Sequence, residues 1–303
     1  MARKTKHRDS KRTAPEAGGP RPQPTLQHRS SQDARHVAAF RLLIEYEGTH
    51  FSGWQKQGAT KLRTVAGSLE RALSDGGIET LEIMGAGRTD AGVHALGQVA
   101  HLHVGAAATE SIDAARIQEI FDEQLPSDVS VRGVEKCAAA FHARHDAESR
   151  TYLYQISRRR SGLAKPFLWW PKEAIDLAKL ETVWKAFEGF HDVSSFCDLE
   201  KKDEPRCRID RCEVLPAGSL VLLRVTASHF IKRQVRRMVG CAVAVANGRG
   251  NVEGIARDLE SPTDEARLRW SRSTAPASGL FLERVSYRKD EPMPPLVPIN
   301  WVP

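Results

Sequence analysis

The run Gly85-Ala86-Gly87-Arg88-Thr89-Asp90-Ala91-Gly92-Val93-His94-Ala95 sets a guanidinium and a carboxylate two residues apart among three glycines. Glycines let a backbone bend sharply and approach a ligand, so Arg88 and Asp90 are displayed on a loop rather than packed in a core. A carboxylate so placed can serve as a nucleophile or as an acid–base group. Gly85-x-Gly87 is also half of a dinucleotide fingerprint, but no third glycine opens a helix and Arg88-Thr89-Asp90 interrupts it. His101 and His103 share one strand face near His94, so a metal pair is geometrically open, with no obvious third ligand. A tight turn with solvated side chains is the plain alternative.

Two further clusters could serve the same chemistry. His229 to Gly240 sets Lys232, Arg233, Arg236 and Arg237 beside an apolar stripe. Helical spacing pairs Lys232 with Arg236 and Arg233 with Arg237. One arginine can then turn inward to a carboxylate while the others meet phosphates or water. Phe141-His142-Ala143-Arg144 precedes the strand-like Arg150-Thr151-Tyr152-Leu153-Tyr154, where both tyrosines face one way. An aromatic face with arginines nearby suits stacking on an unpaired base, or it is a pair of core tyrosines.

The elements that must carry these residues follow from periodicity. Strands are expected over 39–46, 81–84, 98–104, 129–134, 150–156, 208–215, 220–226 and 281–287. Helices are expected after Thr64, from Ser111 to before Pro126, over 176–187, from about Ile231 to Ala246, and over 251–259. Hairpin-like connections in both halves favour an α+β fold over a doubly wound parallel one. The expected architecture is two mixed α/β subdomains, 38–147 and 148–288, sharing a largely antiparallel sheet with a cleft between them. Residues 1–37 read as a disordered basic arm and 289–303 as a Pro-rich irregular tail.

Charge and cysteine content narrow the function classes. Residues 1–40 hold nine Lys and Arg against three Asp and Glu, so the first forty residues carry most of the formal +7 charge. Anion binding by the body must come from local patches. The five cysteines form no CxxC pair, which is expected of reduced intracellular thiols, although Cys197, Cys207 and Cys212 could in principle hold zinc. No stretch is apolar enough to suggest a membrane span.

Taken together, these segments resemble the tRNA pseudouridine synthase A family. Gly87 to Ala95 is similar to its signature loop. Phe51-Ser52-Gly53-Trp54-Gln55, Phe141 to Arg144, Arg150-x-Tyr152-x-Tyr154, Phe230 to Gly240 and Ala275 to Leu282 follow in the family's order. Ala66, Asp122 to Gln124, and Val193 depart from its usual residues, all outside the loop.

The resemblance implies an isomerase that converts uridine to pseudouridine in the anticodon stem-loop of tRNA, at about nucleotides 38 to 40, on a flipped-out base. It implies Asp90 as catalytic nucleophile, Arg236 as its charge partner, and Tyr152 against the uracil. Arg88 fills the vacated stack, Met238 and Leu280 line the pocket, and Arg144, Lys232, Arg233 and Arg237 meet RNA. It implies no cofactor or metal, no membrane, and a cytoplasmic homodimer with tRNA spanning both subunits. A noncatalytic RNA-binding protein or folding chaperone on the same scaffold is the alternative. A nucleoside hydrolase is a third reading, but it would want a second carboxyl as acid.

Overall fold

The computed structural model describes residues 37–56, 62–105, 112–201, 203–288 and 291–299. The basic arm expected over residues 1–37 lies outside them except for Val37, as does Ser111. The described residues belong to one compact unit.

Along the chain, β1 (Val37–Tyr46) is followed by α1 (Val65–Asp75), β2 (Thr80–Gly85), β3 (His94–Gly105), α2 (Ala114–Gln124) and β4 (Val129–Lys136). The second half contains β5 (Ser149–Ser157), α3 (Leu177–Ala186), β6 (Gly189–Asp192), β7 (Arg206–Ala217) and β8 (Leu220–Ala227). It ends with α4 (Gln234–Ala246), α5 (Val252–Glu260), α6 (Asp264–Ser271) and β9 (Leu280–Ser286). Short polar side chains start the helices by accepting a backbone N–H that has no partner within the helix. Thr64 accepts from Gly67, Asp113 from Arg116, Asp176 from Lys179, Asn251 from Gly254 and Thr263 from Ala266.

All nine strands join one sheet in the order β4-β1-β3-β9-β5-β8-β7-β6, with β2 also on β3. The sheet is the expected largely antiparallel one. Its exception is β3 with β9, which run parallel and pair only at His94↔Phe281 and Ala95↔Leu282. That short ladder joins the two halves of the chain, and the signature loop enters β3 beside it.

Strand alternation sorts the core onto the two faces of the sheet. Tyr152, Tyr154, Ile156, Val221, Leu223, Val225, Leu280 and Leu282 join the large core that includes the helices. Leu153, Leu220, Leu222 and Phe281 point the other way, into a smaller cluster with Leu168 and Ala164. Residues 291–299 carry no helix or strand, and Leu296 and Ile299 pack on that smaller cluster. The buried Arg224 holds them there. It is ion-paired to Glu283 and donates to the carbonyls of Pro294 at 3.0 Å and Pro295 at 3.2 Å. Among the described residues no helix is long and apolar enough to cross a membrane.

Four elements differ from the expectation. β3 begins at His94 rather than Gln98, so the signature loop is shorter than its glycines suggest. α6 and the four-residue β6 carry too little apolar periodicity to stand out in the sequence. α4 begins at Gln234 rather than Ile231 because Arg233 is left-handed, at φ 61°. Arg233 is the single non-glycine residue with positive φ among those described. An ion pair to Asp198 at 3.2 Å and a hydrogen bond from Asp198 N–H to the Lys232 carbonyl at 3.0 Å hold the turn. Lys232 and Arg233 therefore precede the helix, although Arg233 and Arg237 both meet Asp198.

Candidate active site

The signature loop is fastened at each end by polar groups that sit in an apolar setting. Gln98, fully buried on β3, grips the backbone of Gly87: its Nε2 donates to the Gly87 carbonyl at 2.7 Å, and its Oε1 accepts the Gly87 N–H at 3.3 Å. Thr89 shares a 2.8 Å hydrogen bond with the Tyr46 hydroxyl, and its carbonyl accepts from Trp54 N–H at 3.1 Å. The loop closes with Val93 N–H on the Asp90 carbonyl at 3.2 Å, a turn for which Gly92 takes φ 79°. Gly85 serves packing instead, since a Cβ there would lie 2.6 Å from the Trp54 ring.

Asp90 emerges from this loop into a cleft of about 900 Å³. Its Oδ2 lies 3.1 Å from Nη1 of Arg236, on α4, with the side chains 25% and 17% exposed. Arg236 is held in turn, because its Nε donates to the Ala275 carbonyl at 2.8 Å while Ala275 N–H returns to the Arg236 carbonyl at 3.0 Å. A half-buried carboxylate beside a fixed guanidinium is held in one orientation by a charge-assisted contact.

Tyr152 lines the same cleft, its ring edge-to-face with Phe230 at 5.2 Å between centroids. Burial pushes its phenol up to about 12, with the charge of Asp90 adding to the rise and Arg150 opposing it. At neutral pH it is a neutral phenol, offering a flat face and an O–H.

Leu280 also lines the cleft, as do Arg88, Arg144, Lys232 and Arg233. Arg88 is exposed and makes no hydrogen bond or ion pair among the described residues. Two expected site residues sit elsewhere. Met238 is fully buried in α4 and is not part of the cleft wall. Arg237 does not line the cleft either. It is buried, and bonds the Cys197 carbonyl and the Asp198 carboxylate. Arg233 meets the same carboxylate from one turn earlier.

The metal question has a structural answer. Among the described residues the one group of donors within ligand reach is Glu82, His101 and His103, so β2 supplies the third ligand missing from the sequence reading. The hydrogen bonding argues against an ion there. Ala143 N–H donates to Nδ1 of His101 at 3.0 Å, which leaves the ring proton on Nε2, 3.6 Å from the Glu82 carboxylate. A ligating histidine normally keeps its proton on the nitrogen remote from the metal. Burial holds the thiols of Cys197, Cys207 and Cys212 up, hence protonated.

His101 makes stability depend on pH. Burial, then the like charges of His103 and His142, hold it down at about 4. The unfolded chain therefore binds the extra proton between pH 4 and 6.5, and stability is lost as pH falls through that window. Urea unfolding is expected to show stability falling from pH 6.5 to pH 5. His101→Gln should flatten that slope, and an equally steep slope in the variant would contradict the assignment.

The description "tRNA pseudouridine synthase" belongs to the family whose sequence model matches residues 42–146 and 183–288. Among similar proteins, the tRNA pseudouridine synthase A of Azorhizobium caulinodans is 36% identical over 252 residues, covering 82% of this chain and 94% of that one. Those of Dictyoglomus thermophilum and Aquifex aeolicus are each 34% identical over 246 residues, covering 80% of this chain and 97% of theirs.

Proposed function

The chain belongs to the tRNA pseudouridine synthase family, a family of isomerases, and from that premise we propose how its cleft works. The substrate is a uridine in the anticodon stem-loop of tRNA, at about nucleotides 38 to 40, and Asp90 is the nucleophile. The observation that carries this reading is the Asp90–Arg236 pair, 3.1 Å apart, over the Tyr152 floor of an open cleft. RNA binding alone has no use for a carboxylate near phosphates.

The chemistry is an isomerisation. Asp90 drives cleavage of the bond between uracil N1 and C1′. The base turns within the cleft, and C1′ is rejoined through carbon 5. The proton on carbon 5 leaves and N1 gains one, so nothing is oxidised or consumed. Tyr152 packs against the uracil face, and its protonated phenol suits a stacking and donating role over that of a standing base.

The base reaches Asp90 only after leaving its stack, which costs a few kcal/mol. Arg88, exposed beside the nucleophile, fills the vacated space and offsets part of that cost. Arg144, Lys232 and Arg233 meet phosphates, so affinity falls with added salt. The same reading makes the protein a cytoplasmic homodimer. Base-resolution pseudouridine mapping in cells lacking the protein tests it. Loss of anticodon-arm pseudouridines, restored by the wild-type chain, is expected, and an unchanged map would refute the reading.

A further inference from the structure

Arg150 has no part in the chemistry above, yet it is the most constrained cation in the cleft wall. It is 8% exposed. Its Nη1 donates to the carbonyls of Ala147 at 3.1 Å and Ser228 at 2.7 Å. Its Nη2 donates to the carbonyls of Ala86 at 3.0 Å and Arg144 at 2.5 Å. The titratable groups acting on it are Tyr152, Tyr287 and Arg144, and none is a carboxylate. Burying a charge against carbonyl dipoles alone is expensive unless the geometry it enforces is needed.

The four carbonyls belong to three separate segments. Ala86 opens the signature loop four residues before Asp90. Arg144 and Ala147 lie in the turn before β5, and Ser228 directly follows β8. Arg150 itself sits on β5, on the same strand face as Tyr152 two residues on. One planar fork therefore ties the loop bearing the carboxylate to the strand bearing the tyrosine. It also fixes the backbone from which Arg144 reaches into the cleft.

We propose that Arg150 is a positioning residue for the reaction, setting the separation between Asp90 and the Tyr152 floor through the carbonyls of Ala86 and Arg144. This rests on the functional reading above. Lysine keeps the charge but is a single point donor that cannot span four carbonyls on three segments. A misplacement of about 1 Å at the reacting centre is worth about 100-fold in rate.

Full-length Arg150→Lys is the test, read against wild type by thermal unfolding, tRNA affinity, single-turnover rate and amide hydrogen exchange. The expected result is a folded protein with tRNA affinity within about threefold and a single-turnover rate about 100-fold lower. Exchange at the amides of Gly87 and Val93 should be at least about tenfold faster, while core-strand amides keep their protection. A wild-type rate with wild-type exchange in the loop would overturn the proposal, since charge alone would then suffice. So would weakened affinity with an unchanged single-turnover rate, or a rate loss matched by loss of folded protein. If wild type made no pseudouridine the functional reading would fail, and the loop exchange would still decide whether Arg150 positions the loop. Arg150→Met guards against misfolding of the lysine variant. It should loosen the same two amides, and unchanged exchange there refutes the proposal.

Discussion

Asp90→Ala is expected to abolish pseudouridine formation while leaving tRNA binding within about threefold of wild type. Removing a covalent nucleophile costs several orders of magnitude in other enzymes, and at least about 10⁴-fold in single-turnover rate is expected here. The fold should survive. The ion pair with Arg236 is part-exposed, and Arg236 keeps its bond to the Ala275 carbonyl, so the loss in stability is about 1 kcal/mol. Asp90→Asn sharpens the experiment, because the amide fills the same space and still accepts a hydrogen bond from Arg236 but cannot act as an anionic nucleophile. Both variants should bind tRNA and accumulate no product. Pseudouridine formed by purified Asp90→Ala at the wild-type rate would remove the mechanism assigned here.

The second large effect is expected at Arg236. Its guanidinium makes two contacts, one to Asp90 and one to the Ala275 carbonyl, and Ala275 lies on the segment leading into Leu280. Arg236→Met should leave the carboxylate without a counter-charge and loosen the segment that shapes the far wall. A fall of about 10²- to 10³-fold in single-turnover rate is expected, comparable to removing one preorganised electrostatic partner. Arg236→Lys should recover part of it, since an ammonium restores the charge but cannot serve both contacts. A single-turnover rate for Arg236→Met within twofold of wild type would show that Asp90 needs no partner.

The parts of the site legible in the sequence were those on local motifs. Asp90, Arg88 and the tyrosine strand stand out by residue type and spacing. The Asp90–Arg236 pairing does not, because the two lie 146 residues apart and only the resemblance joined them. The error at Arg237 has a physical source. Helical spacing puts it beside Arg233, and both do meet Asp198, but spacing alone does not show that Arg237 is buried against the Cys197 carbonyl. Gln98 escaped notice altogether. A lone amide in the apolar run Gln98-Val99-Ala100 was its only signal, and its meaning depends on the Gly87 backbone it grips. The antiparallel sheet was readable from alternation, whereas α6 and β6 are short and draw their stability from neighbours.

The two-residue parallel ladder between β3 and β9 bears on the order in which the molecule becomes competent. Every other strand pair closes over a longer register, and three of them, β2–β3, β6–β7 and β7–β8, join neighbours along the chain. The ladder instead requires residues near 95 to meet residues near 282, and Asp90 meets Arg236 beside it. Closing so long a loop must be offset by few contacts, so it follows the local hairpins in refolding. Each half can acquire its own secondary structure beforehand, but neither can hold a working carboxylate. Catalytic activity is therefore a stricter measure of native structure in this chain than any spectroscopic signal from its strands or helices.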